Sequence, residues 1–476
     1  MKAFDTIKEI KEKIENREIS PSEVTAFFRE RLKKYNPELN VAIEIFEDTK
    51  QENIESGLLG GIPGILKDNI CQKRRVTSAG SKILKNFKAP YDAAVSKRLK
   101  AAGAPIIGRA NCDEFAMGCT GEFTAYGPTK NPWNTAHVPG GSSSGSAAAV
   151  AAGLVPWAIG TETGGSVRQP AAFCNLVGLY PTYGLHSRYG IIAFGSSLDQ
   201  PGPITRTVYD NALLTSVIAG HDPKDSTSLP EPKRDYTRKL NGKLPENITI
   251  GIIKDSIESE GVCEEVKKSF KNSVHELEKL GAKIKYIDIP DLKYGISVYF
   301  VISRAEAASN LSRIDGAIIG DRVDSDTLGE MYIKTRSEGF GPEVKRRILM
   351  GNYVLSAAHR SFYEKASHVR AMIRAEFEKA LSEVDILTSP TTSALPFEFG
   401  QLETDPLKIY MGDYFNCPSC VAGLPAISVP SGFSQSGLPI GIQFIGPRLS
   451  EEMLFQVGHA YEKHHPLYKK HPEGYE

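Results

Sequence analysis

Apolar residues recur at helical spacing from the start of the chain. Phe4, Ile7, Ile10 and Ile14 fall on one face of residues 4–16. Ser20-Pro21-Ser22-Glu23 then places an N-cap serine, a proline in the first turn and a glutamate three residues on, which predicts a second helix. Residues 1–60 are therefore expected to form an N-terminal helical cap, with 34–58 less regular. From Gly61 the texture changes. Short apolar runs bounded by Gly and Pro, at 61–67, 104–109, 384–390, 426–430 and 440–445, alternate with helical stretches. That is α/β texture, with strands buried on both faces. Ile248–Ile253 reads as a strand. Glu264–Leu280 reads as a helix with Val266, Phe270, Val274 and Leu277 on one face and Gly281 as its stop. Lys283–Ile289 reads as a second strand, although its alternation slips between Tyr286 and Ile287. Together they predict a βαβ unit near 248–290, grown from one large α/β domain over 61–476. Residues 201–243 read as loop-rich, with turn signals at 222–225 and 230–232.

The chain has 476 residues, 41% of them hydrophobic and 24% charged, an ordinary globular composition. Its net charge is zero, so no broad positive field is available to grip a nucleic acid. The most apolar run, 147–160, is interrupted by Gly153 and Pro156 and is far short of the ~20 residues that span a bilayer. No signal peptide is visible, and no membrane association is expected. Seven scattered cysteines favour reduced thiols, hence a cytoplasmic location or an organelle matrix. Cys417-Pro418-Ser419-Cys420 is a single C-x-x-C without a second pair or clustered histidines, so two buried thiols are expected there and no metal.

The candidate chemistry lies in two glycine-rich turns, Gly141-Ser142-Ser143 and Gly164-Gly165-Ser166, and in Lys67 of Gly-Ile-Leu-Lys-Asp-Asn. A serine on such a turn either caps a helix or serves as a nucleophile whose oxyanion meets neighbouring N–H groups. Two such serines with a lysine suggest a base other than histidine. Lys67 acts as a base only when neutral, and the apolar Gly61–Leu66 around it suits a buried lysine of lowered pKa; the commoner fate is a lysine reaching solvent from a strand end.

The block Pro139–Gly153, followed by Gly160–Ala171, resembles the signature of the amidase signature enzymes, and the resemblance covers nearly the whole chain. Within that family, segments 114–118, 125–128, 181–184, 197–200, 309–313, 343–348 and 423–427 are similar to the glutamine-hydrolysing subunits of tRNA-dependent amidotransferases. The resemblance implies a large mixed central sheet covered by helices. It implies a Ser-Ser-Lys triad, with Ser166 as nucleophile, Ser142 as proton relay and Lys67 as base, and a cis peptide between Gly141 and Ser142. Thr163, Gly164 and Gly165 would form the oxyanion hole. Arg346 would bind the glutamine α-carboxylate and Asp413 its α-ammonium, with Tyr299 nearby; Arg347 is the adjacent alternative. The product, ammonia, would convert Glu-tRNA(Gln), or Asp-tRNA(Asn), to the amidated form. The chain shows no P-loop and no cofactor site of its own. ATP and Mg would therefore belong to a tRNA-binding kinase/transamidase subunit, which would hold most of the tRNA, and a small third subunit would complete the assembly.

Three departures from the family pattern carry consequences. Ser144 stands where a glycine is usual, at a cost of ~1 kcal/mol if its φ is positive. Glu162 replaces an aspartate. Residues 313–320 lack the Phe before Asp315 and the Arg-Tyr before Gly320. Rival readings are a stand-alone amidase acting on a small neutral amide, a Ser-His-Asp hydrolase using His137 or His186, and an inactive scaffold subunit.

Overall fold

The structure is a computed structural model and describes residues 1–49, 57–401 and 411–476. The second N-terminal helix starts where its capping signal places it, and the first, read from residue 4 on its periodicity, starts at Ile7. Ile7–Glu15 follows Thr6 and Pro21–Leu39 follows Ser20, each with a reciprocal capping box. At the second, Ser20 Oγ accepts the Glu23 N–H (3.3 Å) and Glu23 Oε2 accepts the Ser20 N–H (2.8 Å). Val24, Phe28, Leu32 and Leu39 pack into the same core as Ile65, Leu66, Ile107 and Val150, so these helices lie on the main domain.

Eleven strands form one mixed sheet among the described residues. In chain order they are β1 (Ala42–Ile45), β2 (Gly64–Lys67), β3 (Ile106–Ala110), β4 (Trp157–Glu162), β5 (Val177–Tyr180), β6 (Gln200–Thr205), β7 (Thr249–Ile253), β8 (Lys283–Ile287), β9 (Ile386–Pro390), β10 (Ala426–Phe433) and β11 (Pro439–Ile445). Their order across the sheet is β1-β3-β2-β4-β6-β5-β10-β11-β9-β7-β8. β2 is parallel to both β3 and β4, and β7 to both β8 and β9; the other pairings are antiparallel. Every residue of β2, β3, β4, β5, β9 and β11 is buried, as expected of strands covered by helices on both faces.

The βαβ unit forms as the pattern predicts: β7, the helix Glu264–Lys279 and β8, with Gly281 at φ 98° just past the helix end. β8 is the sheet's edge. Tyr286 faces solvent while Ile287 and Ile289 turn inward, which accounts for the slip in alternation.

Two stretches read as irregular are structured. β1 lies within 34–58 and pairs with β3. In 201–243, β6 sits inside the sheet and the buried helix Val208–Ile218 follows it. β6 carries Pro201 and Pro203, residues normally kept to sheet edges because they donate no hydrogen bond. Their carbonyls are taken by side chains, His186 Nδ1 (2.8 Å) and Asn211 Nδ2 (3.0 Å), so side chains replace the strand ladder on that side.

Ser144 begins the helix Ser144–Ala151 and is absent from the residues with left-handed backbone, so serine sits there without that cost. Residues 313–320 form a tight turn in which Asp315 Oδ1 accepts the N–H groups of Ala317 (2.9 Å) and Ile318 (2.8 Å).

Candidate active site

The site lies where the parallel strands β2 and β4 end, the edge at which open α/β sheets bind their ligands. Lys67 is the last residue of β2 and is wholly buried. Its Nζ lies 2.6 Å from Ser142 Oγ, 3.1 Å from Ser143 Oγ and 3.1 Å from the Thr161 carbonyl. Burial pushes Lys67 down to about 8, against the opposing pull of Cys112, Asp113, Asp199 and Glu162. A neutral amine here keeps two N–H donors and turns one lone pair to a hydroxyl. The Gly141-Ser142 peptide is cis.

β4 runs straight into the turn Thr163-Gly164-Gly165-Ser166. The Ser143 N–H donates to the Ser166 carbonyl (3.2 Å), which holds the two serine turns together. Ser166 is 7% exposed, at the mouth of an otherwise sealed cluster. Glu162 anchors the turn from beneath. Its carboxylate accepts the Val167 and Arg168 N–H groups at 3.0 Å and the Arg168 guanidinium at 2.6 and 2.8 Å. Arg168, wholly buried, also donates to Gln443 Oε1 (2.6 Å) and the Asn416 carbonyl (2.9 Å). The glutamate that departs from the family pattern thus satisfies two backbone donors and one guanidinium at once, and Cys420 touches the same pair. Cys417 and Cys420 are both buried, and the Cys417 thiol donates to the Gly164 carbonyl (3.2 Å).

Two substrate-binding candidates close over the glycine pair. A β-carbon on Gly164 would lie 2.6 Å from the Tyr299 ring, and one on Gly165 would lie 2.4 Å from Asp413 Oδ1. Gly165 is also at φ 150°, where side chains are disfavoured. Asn416 Nδ2 donates to Asp413 Oδ1 (3.2 Å), and burial of the carboxylate pushes Asp413 up to about 7 despite that bond.

The two arginines part company. Both lie on the helix Pro342–Leu355, where neighbours point about 100° apart. Arg346 is 43% exposed and lies along Glu343, at 2.7 and 2.8 Å. Arg347 is 4% exposed, donates to Glu343 Oε1 (2.6 Å), stacks over Phe194 and exerts its charge on Tyr299 and Asp413. The structure therefore gathers Lys67, Ser142, Ser166, Thr163, Gly164, Gly165, Tyr299 and Asp413, leaves Arg346 part-exposed and buries Arg347. One contributor escaped the sequence reading. Asp199 accepts Thr163 Oγ1 (2.7 Å) and the N–H groups of Phe194 (2.9 Å) and Gly195 (3.1 Å), fixing the turn from a third segment. Its signal was the Ser197–Gln200 motif itself, a buried acid inside a loop.

The histidines lie elsewhere. His186 Nδ1 is bound to the Pro201 carbonyl, and burial pushes the ring down to about 4. His137 bridges to Glu398.

Among the described residues no helix is long and apolar enough to cross a membrane. The pattern of the amidase family matches residues 23–455. The A subunit of the glutamyl-tRNA(Gln) amidotransferase of Halothermothrix orenii is 46% identical over 479 residues, covering 99% of this chain and all (100%) of that one. The crystal structure of the corresponding Thermotoga maritima protein, of the same name, superposes with a TM-score of 0.83 at 39% identity, over 97% of this chain and 95% of that one. A 6-aminohexanoate cyclic dimer hydrolase superposes with a TM-score of 0.85 at 26% identity, over 99% of both chains. Matched from end to end in sequence and in shape, and carrying the lysine and both signature serines in one buried cluster, the chain belongs to the amidase signature family.

Proposed function

We propose that this chain is the glutamine-hydrolysing subunit of a tRNA-dependent amidotransferase. Neutral Lys67 takes the proton of Ser142, which takes that of Ser166. Ser166 Oγ attacks the side-chain amide carbon of glutamine. The oxyanion meets the N–H groups of the Thr163–Ser166 turn, each worth ~3 kcal/mol in a preorganised site. Collapse returns the proton to the leaving nitrogen, ammonia departs and a glutamyl ester remains on Ser166. Water then releases glutamate by the same relay. Asp413 and Arg347 hold the α-ammonium and α-carboxylate, a task that calls for one acid and one base.

The observation that carries this reading is the pairing of a sealed, partly neutral Lys67 with an Asp413 that lies beside the glycine turn and feels the charge of the buried Arg347. A small neutral amide needs no such pair of charges, which sets this reading above the stand-alone amidase. The named relatives, amidotransferase subunits over their full length, support it too. The zero net charge leaves this chain without the broad positive field that grips tRNA, so the tRNA, with ATP and Mg, is proposed to belong to a tRNA-binding kinase/transamidase partner. A small third subunit completes the assembly, and the location is cytoplasmic. The test is Ser166→Ala. Glutaminase activity should vanish with the fold intact, and a covalent serine reagent should add its mass to the wild-type chain alone. Glutamine hydrolysis surviving the change refutes the mechanism. Purification of the chain from its host as a lone, fully active glutaminase refutes the assembly.

A further inference from the structure

Asp113 is wholly buried just beyond β3, outside the proton relay itself. Its backbone N–H donates to the Ser142 carbonyl (3.2 Å). Its carboxylate accepts the Gly121 N–H through both oxygens (3.1 Å) and the Phe123 N–H (3.0 Å). The peptide carrying the relay serine lies directly against that carboxylate. A β-carbon on Gly141 would be 2.2 Å from Asp113 Oδ2, and one on Gly118 would be 2.3 Å from Asp113 Cγ. The same added atom on Gly141 would also meet the Thr120 and Gly121 nitrogens, at 2.8 and 2.9 Å. So Asp113 gathers the 118–123 loop with its carboxylate, holds the Ser142 carbonyl with its main-chain N–H and packs its carboxylate against Gly141.

We propose that Asp113 is the positioning residue of the Lys67–Ser142 pair: it holds Ser142 by its carbonyl and packs against Gly141, so that Ser142 Oγ faces Lys67, and it sets a negative charge behind the base. The proposal rests on Lys67 being the base, as proposed above. A charge in that place is unusual. The carboxylate is held by backbone donors, and no ion pair of Asp113 accompanies them among the described residues. A buried acid satisfied only by neutral donors is costly to keep ionised, and burial pushes Asp113 up to about 6. Lys67 and Arg347 are the cations that offset this cost. At the neutral to alkaline pH where Lys67 deprotonates, Asp113 is ionised. The groups that face Lys67 are Cys112 and Asp113 from the segment after β3, Glu162 from β4 and Asp199 from the loop before β6. With the Cys112 thiol pushed far up by burial and hence neutral, three carboxylates remain. Only Asp113 among them also bonds the backbone of the relay serine.

Two variants separate clasp from charge. Asp113→Asn keeps the volume, removes the charge and turns an NH2 toward donors. Gly118→Ala pushes the carboxylate aside and keeps its charge. Both should lower kcat for glutamine at least tenfold with KM changed less than threefold, because the substrate-binding groups are untouched. Asp113→Asn should also move the midpoint of the kcat–pH profile down by roughly half a unit or more, since Lys67 loses a neighbouring negative charge; Gly118→Ala should leave that midpoint in place. Near-ultraviolet circular dichroism confirms the fold of each, and if Asp113→Asn does not fold, Gly118→Ala alone decides the clasp. Wild-type kcat in Gly118→Ala, or an unmoved midpoint in a folded Asp113→Asn, overturns the proposal. Each assay is run on glutamine and on a neutral aryl amide. A wild-type chain that hydrolyses only the aryl amide refutes the glutaminase reading, and the Asp113 comparison then stands on that substrate.

Discussion

Lys67 offers a prediction in which the stability and the activity of the wild type rise together with pH. The perturbation is Lys67→Met, which keeps the length of the side chain and removes its charge. Lysine ordinarily loses its proton near 10.5, and burial brings Lys67 to about 8 in the folded chain. With its side chain fully enclosed, that gap corresponds to ~3 kcal/mol against the folded state at pH 7, at ~1.4 kcal/mol per pH unit. Between pH 8 and 10.5 the unfolded chain holds a proton that the folded chain has given up. Stability therefore rises with pH across this window, and the penalty is complete below it. Methionine has no such term. It loses contacts to Ser142, Ser143 and Thr161, a cost of ~1–3 kcal/mol for each buried partner left unsatisfied, but that cost does not vary with pH. The stability difference between wild type and Lys67→Met should thus shift by ~2 kcal/mol in favour of wild type from pH 7 to pH 9.5. Comparing the two proteins cancels the titration of groups remote from Lys67, and urea unfolding at both pH values measures the shift. In the same window the neutral fraction of Lys67 climbs from ~10% at pH 7 to ~90% at pH 9, so wild-type glutaminase kcat should rise roughly ninefold and level off. Lys67→Met should lose ~100- to 10,000-fold, the worth of a positioned base. A stability difference that ignores pH, a rate midpoint near 6.5, or a variant within a few-fold of wild type would refute Lys67 as a buried, neutral base.

Arg347→Ala should raise the glutamine KM at least tenfold while leaving activity on a neutral amide nearly intact, whereas Arg346→Ala should change either by less than threefold; steady-state kinetics on both substrates decide, and a larger effect from Arg346 would reverse the assignment. Ser142→Ala should cost less activity than Lys67→Met, because water can enter part of the relay, and single-turnover rates compare them. Glu162→Gln strips the buried Arg168 of its only ion-pair partner among the described residues and should cost ~3–5 kcal/mol in denaturant unfolding; a loss under 1 kcal/mol would mean that Gln443, Ser419 and the Asn416 carbonyl suffice.

Fold class, the two capped helices and the βαβ unit were legible because each rests on local chemistry. Ser20 and Glu23 form their cap within four residues, and Val266, Phe270, Val274 and Leu277 mark one helix face without reference to anything distant. The order of strands is another matter. β5 pairs with β10 across the middle of the sheet, a partnership between residues near 178 and residues near 428 that no local pattern encodes. β6 shows the same limit. Gln200-Pro-Gly-Pro-Ile-Thr205 has the composition of a loop, and it becomes a strand inside the sheet by pairing along its length with β4 while His186 and Asn211 take the carbonyls of its prolines.

The site divides along the same line. Glu162–Ser166 is a continuous motif, so the turn that carries Ser166 stood out directly, whereas the roles proposed for Ser166, Ser142 and Lys67 followed from the family resemblance. The groups packed on the turn come from three other segments, at Asp199, Tyr299 and Asp413, with Arg347 acting on the last two through its charge. The choice between Arg346 and Arg347 shows what kind of information was missing. One residue along a helix is a rotation of about 100°, so the question was only one of phase. Phase is normally read from apolar periodicity, and here Val344 and Ile348 are buried while Leu349 and Tyr353 are 70% and 55% exposed. All four look alike in sequence. With apolar residues around the whole helix, periodicity gives no direction, and only the burial of Glu343 and Arg347, with Arg347 over Phe194, tells which arginine turns inward.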